Sequence, residues 1–246
     1  MNLEEEQEIK KEFQLERVIL FSDAVFAIII TIMVIELKFP ETIKEMKLHS
    51  PELHHAIAEV VLKFTGYLVS FFIVARFWMT HLKIFSFLKD YNNKLLMLNL
   101  AFLFCVSLFP FGVTLITGTF KPGSVQYGWG MTTYITIFFA GTLTQSLLIR
   151  YLVLNKNTLC VAPDKIENEL RWKSTKFMIG SLGFFFLVLI LANYFELPPL
   201  LYIYIMAFFG VVNGVVVRKL YPNEATSDSK PVILRIFSRK KASPKA

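Results

Sequence analysis

Residues 17–36 read RVILFSDAVFAIIITIMVIE, a run in which the only charged side chains are Arg17, Asp23 and Glu36. A helix needs about 20 largely apolar residues to cross the hydrocarbon core of a bilayer. The segment 18–37 meets that length and contains neither Gly nor Pro. We therefore predict a continuous transmembrane helix over residues 18–37.

The remainder of the chain is similarly apolar. Of the 246 residues, 54% are hydrophobic and only 18% are charged, which leaves too little polar surface for a soluble domain of this length. Further segments of transmembrane length lie at 57–79, 95–117, 127–149, 177–195 and 199–217. Charged or Pro-containing breaks separate them, as at 38–56 and 150–176, and Glu196-Leu197-Pro198-Pro199 forms a tight hairpin. The predicted fold class is an all-α polytopic membrane protein with six transmembrane helices per subunit.

The basic residues indicate the orientation of these helices. Of the 26 Lys and Arg residues, 21 fall on the side of the membrane that carries both termini. The other side keeps Lys38, Lys44, Lys47, Lys63 and Lys121. Because positive charge accumulates in cytoplasmic loops, we expect both termini in the cytoplasm. The net charge of +7 is then a property of those loops, and we expect no nucleic-acid partner.

The ends of the chain differ from its centre. Residues 1–17 alternate acidic and basic side chains without an apolar core, which predicts a soluble amphipathic helix rather than a signal peptide. Residues 218–246 form a basic tail too short to hold a core, and 18–217 form the transmembrane domain. Cys105 and Cys160 lie far apart with no CxxC pair, so we predict neither a disulfide framework nor a metal or cofactor site.

One face of the first helix differs from the others. At about 100° per residue, five side chains fall in one stripe: Ala24, Ile28, Thr31, Ile32 and Ile35. Asp23 and Ser22 point roughly the other way, toward supporting helices. A carboxylate inside a membrane helix costs about 2.5–3.5 kcal/mol on insertion scales, so Asp23 needs a partner or a role. Candidate partners on the second and third helices are Arg76, Trp78, His81 and Asn99.

Each of these features also has a purely structural interpretation. An Ile stripe is usually packing surface, and a Thr in a membrane helix usually bonds to its own backbone. Asp23 could be a helix-end carboxylate that reaches water. Trp78 and His81 could anchor the helix at the membrane interface, and Asn99 could form an interhelical hydrogen bond.

The motifs of the first three predicted helices, and their order, resemble those of the transmembrane protein 175 family of potassium channels. Arg17-x-x-x-Phe21-Ser22-Asp23 resembles the RxxxFSD signature of that family, and AVFAIIITIMVIEL after it resembles the rest of its first helix. Trp78-x-x-His81, then LNLAFL at 98–103 followed by Pro110-Phe111, resemble its second and third helices. The likeness covers the first half of the chain, and the last three helices match only in number and length.

The resemblance implies a tetramer of six-helix subunits whose first helices surround a central K⁺ pathway. Ile28 then corresponds to the narrow constriction, with Ile32 and Ile35 following and Thr31 in the polar layer that contributes to selectivity. Such an isoleucine ring could also close by dewetting. Arg17, Phe21, Ser22, Asp23, Trp78, His81 and Asn99 correspond to the signature and its supporting network. Because animal members carry two repeats, one repeat implies a prokaryotic homotetramer in the cell membrane, with K⁺ as permeant ion and no cofactor.

The main alternative function is a proton-coupled or cation secondary transporter, in which Asp23, Arg17 and Glu36 would be coupling groups. Such carriers usually interrupt helices near the midplane, whereas 18–37 has no Gly or Pro. The chain has no TVGYG filter and no regular arginine voltage sensor. It also has no HExxH, GxSxG or catalytically spaced carboxylate pair, which argues against an enzyme.

Overall fold

The computed structural model describes residues 3–35, 37, 50–118, 125–195 and 197–221. These residues form helices and no β-strand; the one β-type contact among them is an isolated bridge between Leu88 and Cys160. The helices are α1 (Leu3–Ile35), α2 (Pro51–Phe85), α3 (Asn93–Ser107), α4 (Phe109–Gly118), α5 (Val125–Leu154), α6 (Lys156–Leu159), α7 (Ile166–Glu169), α8 (Trp172–Tyr194) and α9 (Pro199–Leu220). The all-α class is confirmed.

Five spans within the described residues are long and apolar enough to cross a membrane. They lie in Ile9–Ile35, Pro51–Phe85, Asn93–Thr117, Gly128–Leu154 and Trp172–Ala192. The sixth predicted segment, 199–217, is helical within α9, which has 22 residues. The chain is therefore a multi-pass α-helical membrane protein, and the count of six stays a prediction.

Several helix limits differ from the predicted segments. The structure places residues 51–56 in α2 although we assigned them to a loop. Ser50 caps the helix by accepting a hydrogen bond from the Leu53 backbone N–H at 3.2 Å, and Pro51 occupies the first turn. Pro is favourable there because the N–H it lacks would have no intrahelical partner. The sequence-based boundary overlooked this capping pattern.

The predicted third span is divided between α3 and α4 at Leu108. Pro110 follows at the second residue of α4, where it cannot donate the hydrogen bond that would continue α3 and its ring crowds the preceding turn. The predicted break 150–176 is also partly helical, because it contains α6, α7 and the start of α8.

Two apolar clusters hold the bundle together. The larger lies along its length and includes Phe26, Phe77, Phe102 and Phe109, which are 6% exposed or less. The smaller cluster lies at one end of the bundle, where α2 and α5 finish and α3 and α8 begin. We call this end of the bundle the basic end. Its lysines and arginines include Lys83, Lys89, Lys94, Arg150 and Lys156.

Helix α1 continues past the predicted boundary at residue 17 without interruption. Its N-terminal extension packs at the basic end, where Leu15 is buried in the smaller cluster. Lys11 forms an ion pair with Asp90 at 3.4 Å, and the Tyr91 hydroxyl donates to Gln14. These contacts join the N-terminal part of α1 to the α2–α3 connection. Glu36 lies outside the described residues, as does the part of the predicted tail that follows Tyr221.

Candidate functional site

The predicted stripe on α1 lies on the open side of the subunit. Ile28, Ile32 and Ile35 are 56%, 42% and 64% exposed, and Ala24 and Thr31 are also exposed. The opposite side of α1 packs into the bundle, where Phe26, Ile29 and Met33 are between 0% and 4% exposed. Neighbouring positions such as Ile28 and Ile29 therefore have opposite environments, although they are the same residue type.

Thr31 carries the hydroxyl of the stripe. Its Oγ1 donates to the backbone carbonyls of Ala27 at 3.0 Å and Ile28 at 2.9 Å. The hydroxyl proton is thus directed at the helix, as in the purely structural interpretation. A hydroxyl oxygen also has acceptor lone pairs, and on this exposed side chain they remain able to face a cation.

Asp23 lies off the stripe and is half-buried. Its Oδ1 accepts a hydrogen bond from the Trp78 indole Nε1–H at 2.9 Å, which joins α1 to α2. Among the four partners considered from the sequence, Trp78 is the one that bonds to Asp23. The carboxylate is thereby held by a neighbouring helix rather than directed along the exposed stripe.

Ser22, Asn99 and His81 form a buried chain of hydrogen bonds that links α1, α3 and α2. The Asn99 Nδ2 group donates to Ser22 Oγ at 3.0 Å, and Ser22 donates to the Val18 carbonyl at 2.9 Å. Asn99 Oδ1 lies 2.8 Å from His81 Nε2. Because the amide oxygen can only accept, Nε2 carries the proton and His81 Nδ1 is the unprotonated ring nitrogen when the ring is neutral.

Aromatic rings enclose this polar chain. The His81 ring stacks on Phe85 at a centroid distance of 4.2 Å and lies 5.6 Å from Phe26 and 5.8 Å from Phe102. Within the described residues His81 Nδ1 has no hydrogen-bond partner. The packing restricts the imidazole to one orientation, so the polar chain fixes the position of α1 against α2 and α3.

Two signature residues lie outside this network. Phe21 is 53% exposed and Arg17 is also exposed, and neither contacts Asp23 through a hydrogen bond or ion pair in the part of the chain that the structure describes. Conversely, Phe26 contributes to the enclosure of His81 and was missed by the sequence analysis. The i, i+3, i+7 spacing of Phe26, Ile29 and Met33 could have indicated it.

No metal centre is formed by the residues that the structure describes, since they contain no group of three or more His, Cys, Asp or Glu side chains able to hold an ion. Cys105 and Cys160 are both free thiols. Burial raises the pKa of the Cys160 thiol, which lies outside the membrane-spanning segments. That shift keeps the thiol protonated and poorly nucleophilic.

We expect Asp23→Ala to reduce the free energy of unfolding by about 1–2 kcal/mol, because it leaves the Trp78 N–H without its acceptor. Thermal unfolding of the purified protein measures this loss. Trp78→Phe deletes the donor, so the double variant should be little less stable than either single one. Normal stability together with an altered ion preference in Asp23→Ala would place the carboxylate on the ion path instead.

Comparison with known proteins gives three informative similarities. The family model of the endosomal/lysosomal potassium channel TMEM175 matches residues 17–110. A potassium channel of Chryseobacterium is 36% identical over 132 residues, 53% of this chain and 62% of the relative. A potassium channel of Streptomyces collinus is 33% identical over 101 residues, 41% of this chain and 46% of that relative. The chain thus matches roughly half of the length of these relatives.

The fold also resembles a solved structure. The crystal structure of a lysosomal potassium-selective channel TMEM175 homolog from Chamaesiphon minutus has a TM-score of 0.58 at 20% identity. The match covers 81% of this chain and 98% of that one. It therefore extends the likeness in fold well beyond the segment matched by the family model.

Proposed function

We propose that this chain is a prokaryotic member of the TMEM175 family of potassium channels and conducts K⁺ passively and selectively through a pore lined by α1. Four copies would surround the pathway as a homotetramer in the cell membrane, with both termini in the cytoplasm. A passive channel catalyses no reaction, so the proposed function is not enzymatic. K⁺ is the permeant ion, and the function requires no cofactor.

The observation that carries this proposal is the rotation of α1. Its exposed face contains the stripe of Ile28, Thr31, Ile32 and Ile35 and lies opposite a tightly buried side. A stripe of this kind on the helix that carries the family signature suits close approach of several α1 copies around an axis. Asp23 and Ser22 are both bonded to neighbouring helices, which leaves the stripe without a fixed charge.

The chemistry of the stripe suits a hydrophobic gate next to a polar layer. From Ile28 to Ile35 the helix rises about 10 Å, so rings of isoleucine would form successive apolar constrictions. Water leaves a narrow apolar pore readily, and an ion then faces the cost of losing its hydration shell. The Thr31 oxygen, within this stretch, would return part of that hydration energy to a passing cation.

A proton-coupled or cation secondary transporter is the alternative function. Helix α1 remains unbroken from Leu3 to Ile35, whereas carriers commonly bind their ions at interrupted helices. The interruption between α3 and α4 at Leu108 has buried apolar neighbours, Val106 and Phe109. Residues 105–111 include no charged side chain, and the hydroxyl of Ser107 donates to the Phe104 carbonyl of its own helix, so the interruption does not offer the side chains of an ion site.

Ion flux from liposomes tests the proposed function. Purified protein is reconstituted, and the decay of separate K⁺, Na⁺ and H⁺ gradients is followed. We expect K⁺ to move down its own gradient without a coupled ion and faster than Na⁺. Strict coupling of K⁺ movement to protons, or slow saturable exchange, would support the carrier instead.

Thr31→Val tests the polar layer, because it keeps the shape of the side chain and deletes the hydroxyl. We expect the preference for K⁺ over Na⁺ to fall severalfold while tetramer assembly stays intact, since Thr31 is exposed and packs no core. Thr31→Ser, which keeps the oxygen, is the matched control and should have a milder effect. Relative K⁺ and Na⁺ permeability provides the measurement, and an unchanged preference in Thr31→Val would remove Thr31 from the ion path.

A further inference from the structure

A second polar feature lies away from α1, in a cleft between α2, α5 and α8 toward the basic end of the bundle. The cleft has a volume of about 480 Å³, within the range of small-ligand sites. Its polar and charged lining includes Arg76, Lys83, Gln145, Glu169, Arg171 and Ser174. The proposed conduction pathway uses none of these residues.

The charges of the cleft do not cancel. Lys83 Nζ forms an ion pair with Glu169 at 2.9 Å, and this contact holds the pKa of the Glu169 carboxyl below its usual range. The pair therefore stays ionised and neutral overall near pH 7. Arg76 adds a positive charge that no described residue neutralises, so this part of the cleft is cationic.

Arg76 lies on α2, within the last four residues of the predicted span 57–79. It lies nine residues before the end of α2 at Phe85, which corresponds to about 14 Å along the helix axis. Its guanidinium makes neither a hydrogen bond nor an ion pair with the described residues. An arginine within a membrane-spanning segment normally has an anionic or polar partner. The described part of this chain supplies none, although Arg76 is exposed and can meet one from outside the subunit.

Arg171 supports the same interpretation from the opposite wall. It has a φ of 51°, and it is the one non-glycine residue with positive φ among the described residues. A left-handed backbone is unfavourable for a residue with a Cβ and often marks a functional position. Here it lies between α7 and α8, and Arg171 is one of the residues that line the cleft. Beside it, the Ser174 hydroxyl makes no hydrogen bond within the described chain.

We propose that this cleft binds the phosphate of an anionic phospholipid, with Arg76 as the main anion-binding group, Ser174 as a hydrogen-bond donor and Arg171 on the same lining. Guanidinium groups bind phosphate through paired hydrogen bonds, and basic clefts between transmembrane helices suit lipid headgroups. A lipid can reach Arg76 from the bilayer without crossing the protein. In the proposed orientation that lipid belongs to the cytoplasmic leaflet.

Native mass spectrometry of the purified full-length protein tests this site. The protein is titrated with phosphatidylglycerol and with phosphatidylcholine, and the apparent dissociation constants are compared. We expect wild type to prefer phosphatidylglycerol, and Arg76→Gln to weaken that binding by about fivefold, the typical contribution of one basic residue at a membrane surface. Phosphatidylcholine binding should change little, because the variant removes the charge and not the apolar contacts.

Arg150→Gln is the matched control. Arg150 is an exposed arginine on α5 that does not line the cleft, so this variant should bind phosphatidylglycerol as wild type does. Arg76→Lys should bind with intermediate affinity, because it keeps the charge but loses the paired donors. Equal weakening by Arg76→Gln and Arg150→Gln would overturn the site in favour of a diffuse surface attraction.

Further controls distinguish a loss of lipid binding from a failure to fold, and a lipid phosphate from a soluble phosphate. Size-exclusion elution and the thermal unfolding midpoint identify any variant that fails to fold, and Arg171→Gln provides an independent change on the other wall. Inorganic phosphate at millimolar concentration should not displace phosphatidylglycerol. Full displacement would overturn the lipid assignment and make the cleft a site for a soluble phosphate compound. None of these readouts depends on ion conduction, so the result is independent of the proposed channel function.

Discussion

Ile28→Asn is expected to raise the resting K⁺ flux of the reconstituted protein by at least about tenfold, which corresponds to about 1.4 kcal/mol removed from the permeation barrier. The side chain lies on the exposed stripe of α1, where four copies would form the proposed constriction. An amide ring would keep water in that constriction and reduce the dewetting barrier. Folding should be little affected, because Ile28 is 56% exposed in the subunit.

Ile29→Asn is the matched control, since it makes the same substitution one residue further along the same helix. Ile29 is 4% exposed and packs in the larger cluster, so the amide would be buried without a partner. We expect a loss of about 2–4 kcal/mol in the free energy of unfolding instead of a larger flux. K⁺ flux and thermal unfolding are measured for both variants. Equal effects at Ile28 and Ile29 would falsify the assignment of the exposed stripe of α1 to the pore.

Asn99→Leu is expected to destabilise the protein by about 1–3 kcal/mol and to loosen α1 from its neighbours. Asn99 is 1% exposed and bonds to both Ser22 and His81. Its loss leaves the His81 Nε2–H without an acceptor inside an aromatic enclosure. Ser22 keeps its bond to the Val18 carbonyl but loses its link to α3.

Asn213→Leu offers a direct comparison because Asn213 is also a buried helical asparagine. Its Nδ2 donates only to the Phe209 carbonyl of its own helix at 2.9 Å, and its Oδ1 has no partner in the described chain. We therefore expect a small loss or even a gain in stability there. Thermal unfolding and the yield of folded protein of both variants provide the test. A smaller effect at Asn99 than at Asn213 would mean that the interhelical network does not hold α1.

The helical class and the rotation of α1 could be predicted from the sequence because both depend on periodicity. Ile28 and Ile29 are chemically identical, yet a turn of about 100° per residue separates an exposed position from a buried one. The partner of Asp23 could be narrowed only to a group of candidates. Which candidate lies close enough to bond depends on how the side chains of different helices pack, and periodicity within one helix gives no information on that.

Other features required the structure. The division of α3 from α4 depends on whether Pro110 kinks or ends a helix, and tertiary packing decides between these outcomes. Phe21 and Arg17 match the RxxxFSD signature but lie outside the hydrogen-bonded network, which motif matching alone does not reveal. The cleft combines residues from α2, α5, α7 and α8 whose proximity has no signal in local sequence.

Single-channel recording from the purified wild-type protein tests most directly whether the chain forms a K⁺-conducting pore. The protein is incorporated into a planar bilayer with K⁺ on one side and Na⁺ on the other. We predict discrete unitary current steps whose reversal potential lies toward the K⁺ equilibrium potential and does not shift when a pH gradient is imposed. Absence of unitary steps from protein that still moves K⁺ in liposomes, with movement coupled to protons, would contradict a pore and identify a carrier.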